Sequence, residues 1–213
     1  MIDLAAMPVF IKICGVTTVE DALAIHAQGA TAIGLILTSS KRQVSVETAT
    51  RIAQATEGLL CRVAVFRNND ADFICEVVDA TRVEAVQVHG PLSDELLGQL
   101  RRRDVAVIKA LSTDEDDFDT FDPTKVDAVL VDGPTPGTGE MHSWVDATRR
   151  DFGVPLIAAG GLNPSNVVSI IETVRPWGVD VATGVEERPG VKDVALVGSF
   201  IGLARAALVQ REE

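Results

Sequence analysis

Short apolar runs alternate with amphipathic stretches from one end of the chain to the other. The runs fall at Val9–Cys14, Ala32–Leu37, Arg62–Phe66, Ala85–Val88, Ala106–Ala110, Ala128–Val131, Leu156–Ala159 and Val179–Ala182. Each is short and rich in Val, Ile, Leu and Ala, with little polar alternation. Strands of a parallel sheet read this way, because crossover helices cover both faces. The stretches between them predict helices at Val19–Gln28, Val46–Glu57, Asp70–Asp79, Asp94–Arg103, Asp114–Phe121, Ser143–Arg150, Pro164–Val174 and Asp193–Val209. Two helix starts carry clear signals. Ser45 is an N-cap residue, and Asn163 is followed by a proline at the first helical position.

Eight strand–helix units in 213 residues leave about 27 residues per unit. The pattern predicts one α/β domain over residues 1–213, a compact (β/α)8 TIM barrel with no inserted domain. No Pro/Gly/Ser-rich linker divides the chain. An open doubly wound sheet is the alternative. That fold usually carries G-x-G-x-x-G after its first strand, and here the turn reads Cys14-Gly15-Val16-Thr17-Thr18.

Composition narrows the function class. Hydrophobic residues make up 46% of the chain, which excludes a disordered or fibrous protein. No apolar run approaches the ~20 residues of a membrane span. The formal charge is −12, from 31 acidic and 19 basic residues, and argues against a nucleic-acid partner. Cys14, Cys61 and Cys75 are odd in number and lack C-x-x-C spacing, so reduced thiols in a cytoplasmic protein are expected and a zinc site is not. The run Asp114-Glu115-Asp116-Asp117 reads as a solvated helix start.

In a barrel the chemistry sits at the carboxyl ends of the strands. Lys12 and Cys14 are two residues apart and share one side of the first strand, as Gln87 and His89 do on the fourth. Cys14 is either a proton-transfer thiol or a small buried residue. Asp132 follows the sixth apolar run, where a carboxylate costs several kcal/mol if buried without a partner; it either serves chemistry or caps a loop. Gly160-Gly161-Leu162-Asn163-Pro164 follows the seventh strand and Thr183-Gly184-Val185 the eighth. Such turns let backbone N–H groups approach an anion, and phosphate sites recur at these two positions of the fold. Pro136-Gly137-Thr138-Gly139 reads as a loop over the mouth. Arg42, beyond the second strand, is a candidate carboxylate ligand or a solvated charge. His89 and His142 are proton-carrying candidates or structural histidines.

Taken together these segments resemble the phosphoribosylanthranilate isomerase family. The likeness runs from Lys12-Ile13-Cys14-Gly15-Val16-Thr17 to Pro189-Gly190-Val191-Lys192-Asp193. It takes in Val65-Phe66, Val86-Gln87-Val88-His89-Gly90, Asp132, Gly137-Thr138-Gly139, Trp144, Gly160-Gly161-Leu162-Asn163-Pro164 and Gly178-Val179-Asp180-Val181. The resemblance implies the eightfold barrel and an Amadori rearrangement of N-(5-phosphoribosyl)anthranilate in tryptophan biosynthesis, with no metal or cofactor. It implies Asp132 as general acid and Cys14 as general base, its thiol pKa lowered by Lys12 or another cation. It places Arg42 at the anthranilate carboxylate, Gly160, Gly161, Asn163, Thr183 and Gly184 around the phosphate, and His89 and Asp180 among the substrate-binding residues. Three segments depart from the family pattern. The loop Leu37-Thr38-Ser39-Ser40-Lys41-Arg42-Gln43 is one residue shorter and lacks the usual aromatics. Glu140-Met141-His142-Ser143-Trp144 and Ala182-Thr183-Gly184 are also altered. A paralogous isomerase of another phosphoribosyl-amine and a non-catalytic phosphosugar-binding protein are the alternatives. A small-molecule phosphosugar is the expected partner in all three.

Overall fold

The computed structural model of the chain describes residues 4–112, 118–132 and 150–210. Eight parallel strands close into a barrel in sequence order: β1 Phe10–Cys14, β2 Ala32–Ile36, β3 Cys61–Arg67, β4 Ala85–His89, β5 Ala106–Ser112, β6 Ala128–Asp132, β7 Leu156–Ala159 and β8 Gly178–Val181. The barrel is closed by the β1–β8 pairing, in which Lys12 stands opposite Asp180. The described helices are α1 Val19–Ala27, α2 Val46–Ala55, α3 Ala71–Thr81, α4 Asp94–Arg102, α5 Val167–Val174 and α6 Val194–Val209. A two-stranded antiparallel hairpin, β9 Glu186–Arg188 with β10 Val191–Lys192, follows β8.

Two separate apolar cores explain why the strand runs show so little alternation. Phe10, Val63, Ile108, Leu130 and Ile157 point inward and pack with small residues such as Ala32, Ala85 and Ala128. Their strand neighbours Ile11, Ile33, Phe66, Val107 and Val129 point outward and pack against the helices. Period-two geometry sends alternate residues to these two layers, and both are apolar. At the base of the barrel Phe10 stacks on Trp177, with ring centroids 4.9 Å apart.

Helix starts follow capping chemistry. Thr18, Ser45, Asp70 and Ser93 each accept the backbone N–H three residues on, and Asp193 accepts those two and three residues on. Asp70 and Asp193 are therefore caps, one residue outside the helices expected to begin with them. The expected start at Pro164 is displaced to Val167. Asn163 accepts from the backbone N–H and hydroxyl of Ser165, closing a local Asx turn before the helix proper. Of the helix expected over Asp114–Phe121, residues 114–117 lie outside the described residues and Phe118–Thr120 form a turn. Asp122 then caps a 3-10 turn over Pro123–Lys125, because a residue before proline is steered out of the helical region. The acidic run 114–117, the loop 136–139, Glu140, His142, Trp144 and all but Arg150 of the helix expected over Ser143–Arg150 lie outside the described residues. No helix among the described residues is long and apolar enough to cross a membrane.

Candidate active site

A cavity of about 320 Å³ opens at the carboxyl ends of the strands. Cys14 at the end of β1 and Asp132 at the end of β6 both line it, three strands apart around the barrel. His89, Arg42 and Asp180 line it as well, as do the two glycine turns, Gly160-Gly161 and Thr183-Gly184. Among the described side chains singled out from sequence, Lys12 and Asn163 are not on its wall; the Asn163 amide donates to the carbonyl of Gly161 and braces the turn from behind. A larger cleft of about 510 Å³ lies between residues preceding β4 and β5 and the end of α3, at the other end of the barrel from these groups.

The floor beneath Cys14 is an ion pair. Lys12 Nζ is 2.8 Å from Asp180 Oδ1, and Lys12 is fully buried. Burial works against the ammonium charge, yet Asp180 and Cys14 together outweigh it and keep Lys12 protonated. Gly34 makes room for this arrangement: a Cβ there would come 2.7 Å from Cys14 Sγ and 3.1 Å from Lys12 Nζ. Burial pushes the Cys14 thiol up, Lys12 pulls it down, Asp180 pushes it up again and Lys192 pulls it down. The burial effect is the largest, so the sequence-based expectation of a lowered thiol pKa is not met. Lys12 does act on the thiol in the expected direction.

The β3–β4 wall is polar. Arg67 Nη2 lies 3.3 Å from His89 Nδ1, and Gln87 Nε2 lies 2.9 Å from His89 Nε2. A guanidinium only donates, so Nδ1 accepts and the ring proton sits on Nε2. That proton requires an acceptor, and the Gln87 carbonyl oxygen is buried without a partner. Turning the Gln87 amide over satisfies both groups and gives the ring its acceptor. Burial, with the charge of Arg67 next, lowers the His89 pKa to about 3, so the ring is neutral.

At the β7–β8 wall, Gly160 and Gly161 both adopt positive φ, +85° and +67°, which only glycine adopts freely. Gly184 lies so close to the Leu162 carbonyl that a Cβ would overlap it. These turns bring backbone close to the cavity, a geometry able to receive an anion.

Arg42 has an internal partner that sequence reasoning missed. Its Nε and Nη2 reach the Glu186 carboxylate at 2.6 to 3.0 Å, and Nη2 also donates to Thr183 Oγ1 at 3.1 Å. Lys192 is the second missed residue, 2.8 Å from Glu186. Both stand in the stretch that ends in Pro189-Gly190-Val191-Lys192-Asp193. The available signal was the charged pair flanking a Pro-Gly turn directly after a barrel strand.

The family model for N-(5'-phosphoribosyl)anthranilate isomerase matches residues 11–202. This chain belongs to that family. A Geotalea uraniireducens protein named N-(5'-phosphoribosyl)anthranilate isomerase is 40% identical over 202 residues, covering 92% of this chain and 98% of the relative. The crystal structure of phosphoribosyl anthranilate isomerase from Thermotoga maritima superposes with a TM-score of 0.84 at 38% identity, over 93% of this chain and 99% of that one. A structure of the isomerase with reduced 1-(o-carboxyphenylamino)-1-deoxyribulose 5-phosphate superposes with a TM-score of 0.79 at 35% identity, over the same shares. The family's barrel and this chain's barrel are thus the same fold, with the cavity at the end where barrel chemistry resides.

Proposed function

We propose that this cavity isomerises N-(5'-phosphoribosyl)anthranilate to 1-(2-carboxyphenylamino)-1-deoxyribulose 5-phosphate, the aldose–ketose step of tryptophan biosynthesis. The observation that carries this reading is the placement of Cys14 and Asp132 on one cavity whose third side is the pair of glycine turns after β7 and β8. Its volume suits a ligand of that size.

Asp132, as general acid, protonates the ribose ring oxygen. The C1–O bond breaks and the anilino nitrogen lone pair closes a C=N bond. Cys14, as thiolate, removes the C2 proton, and the electron pair moves back to nitrogen to give an enolamine. Loss of the enol proton and protonation at C1 give the ketone. The whole sequence is proton transfer, each transfer worth roughly 100- to 10,000-fold when its group is well placed. The phosphate rests on Gly160-Gly161 and Thr183-Gly184. The neutral His89 and Gln87 face the sugar from the opposite wall as hydrogen-bonding groups. Nη1 of Arg42, the edge that Glu186 and Thr183 leave open, donates to the anthranilate carboxylate.

Purified protein mixed with freshly generated N-(5'-phosphoribosyl)anthranilate should yield the carboxyphenylamino ketose, detected by mass and by retention time. The same chain should restore growth of a tryptophan auxotroph lacking this isomerase. Absence of product with wild-type protein would reject the reading.

A further inference from the structure

Glu186 is a buried carboxylate that meets two cations. It opens β9, and its side chain is 2% exposed. Its two oxygens share the single Nε–H of Arg42, at 2.8 and 3.0 Å, and it accepts one bond from Nη2 at 2.6 Å. It also accepts the amide of Gly190 at 3.3 Å and Nζ of Lys192 at 2.8 Å. Lys192 uses its other two N–H groups on main-chain carbonyls, Cys14 O at 2.6 Å and Ala182 O at 3.3 Å. Its three donors thus have three acceptors.

This arrangement joins three parts of the site that are far apart in sequence. Arg42 comes from the loop after β2, Cys14 ends β1, and Glu186 and Lys192 come from the hairpin after β8. A free arginine on a surface loop samples many rotamers and loses that freedom when it binds. Here a side-on carboxylate fixes the plane of the guanidinium in advance and commits two of its three nitrogens. Gly15, at φ +74°, adds to this: a Cβ there would strike the Arg42 side chain, so Arg42 lies directly across the turn that follows Cys14. Glu186 itself is not on the cavity wall.

We propose that Glu186 is a positioning residue of the site: it aims Arg42 at the carboxylate end of the substrate and, through Lys192, couples that grip to the main chain of Cys14. The proposal rests on the reading above, in which Arg42 holds the anthranilate carboxylate and Cys14 moves the proton. It divides the hairpin into two duties. The Glu186–Arg42 half governs binding. The Lys192–Cys14 half governs the placement of the thiol and hence turnover.

Wild-type turnover is measured first and judges the reaction itself. Glu186→Gln and Lys192→Met are then compared by steady-state kinetics and by titration with the reduced product analogue, with and without its carboxyl group. Glu186→Gln should raise KM about 10-fold or more, the range for losing bonds between charged groups, with kcat within about threefold. Its affinity loss should be confined to the carboxylate-bearing analogue. Lys192→Met, which leaves Glu186 and Arg42 paired, should show the reverse split, with kcat down about 10-fold and KM near wild type. The same KM and kcat pattern in both variants overturns the proposal, as does a wild-type KM in Glu186→Gln or equal loss of both analogues. Should Glu186→Gln fail to fold, Lys192→Met decides alone: a KM rise as large as the fall in kcat rejects the division. Should wild type bind but not turn over, the reaction is wrong and the paired titrations still judge Glu186.

Discussion

Lys12 and Asp180 face one another in register across the seam that closes the barrel, 2.8 Å from Nζ to Oδ1, and Cys14 is the next inward residue above Lys12. Neither charge would be tolerated there alone, since a buried unpaired charge costs several kcal/mol. Together they place a fixed cation beside a thiol that burial otherwise holds protonated. The seam is thus structural and electrostatic at once.

Lys12→Met should therefore raise the Cys14 pKa further. The thiol is a base only when deprotonated, so the acid limb of kcat/KM should move to higher pH and activity at neutral pH should fall. Lys12→Met with Asp180→Asn should shift the limb in the same direction but less, because Asp180 itself pushes the thiol up and is the weaker of the two charges at Cys14. The rate of alkylation of Cys14 against pH gives the same answer without substrate. An unmoved limb in both variants would remove Lys12 from the thiol's environment.

Cys14→Ser and Asp132→Asn should each lower kcat by at least ~100-fold, the low end for losing a general acid or base. KM should change far less, because the proposed reading gives binding to the glycine turns and Arg42. Neither variant should exchange solvent deuterium at C2, since Cys14→Ser lacks the base and Asp132→Asn is blocked at ring opening, one step earlier. Retained turnover in either variant would strike that residue from the mechanism.

The fold was legible because every strand is buried on both faces, and such runs differ sharply from the helices between them. Ile11 and Phe10 serve different cores, yet both are apolar, so the run reads as continuous. Strand ends were read to within about two residues. Capping at Ser45 was legible because the signal is local. Asn163-Pro164 carried the same local signal and misled, since the Asx turn it forms with Ser165 precedes the helix. Placement of Cys14, Asp132, His89 and the glycine turns on one cavity followed from strand order. Glu186 and Lys192 were not legible. Three- and two-residue strands carry no periodicity, charged residues there read as surface, and the partner of Glu186 is 144 residues away.

His89 should make stability depend on pH between neutral and mildly acid conditions. Its pKa falls from an ordinary value near 6.5 to about 3 in the folded protein, so the fold favours the neutral ring. Stability from this group is present above pH ~6.5 and is lost as pH falls toward 3. Between pH 7 and 5 the loss should be about 1–2 kcal/mol by linkage, toward the low end because the ring borders an open cavity. Urea titrations at the two pH values measure it. His89→Gln should flatten the difference; an equal loss in the variant would assign the pH dependence to other groups.

Gly184→Ala should damage phosphate binding. The new Cβ would overlap the Leu162 carbonyl oxygen and press on Asn163 Cβ at 2.8 Å. The first obstacle is backbone, which has no rotamer to change, so the loops after β7 and β8 must separate. Backbone N–H groups aimed at one anion lose their shared focus when the turns move apart. We expect inorganic phosphate and substrate to bind at least ~10-fold more weakly, the scale of one lost charge-assisted hydrogen bond. Gly202→Ala is the matched control: like Gly184 it lacks a left-handed φ, and nothing lies within 4 Å of the added Cβ, so it adds a methyl without the collision. Calorimetric titration with phosphate, beside thermal unfolding of both variants, separates the two causes. Weaker phosphate binding in Gly184→Ala with little change in Gly202→Ala supports a phosphate site built by close backbone approach. Wild-type phosphate affinity in Gly184→Ala would place the phosphate elsewhere in the cavity.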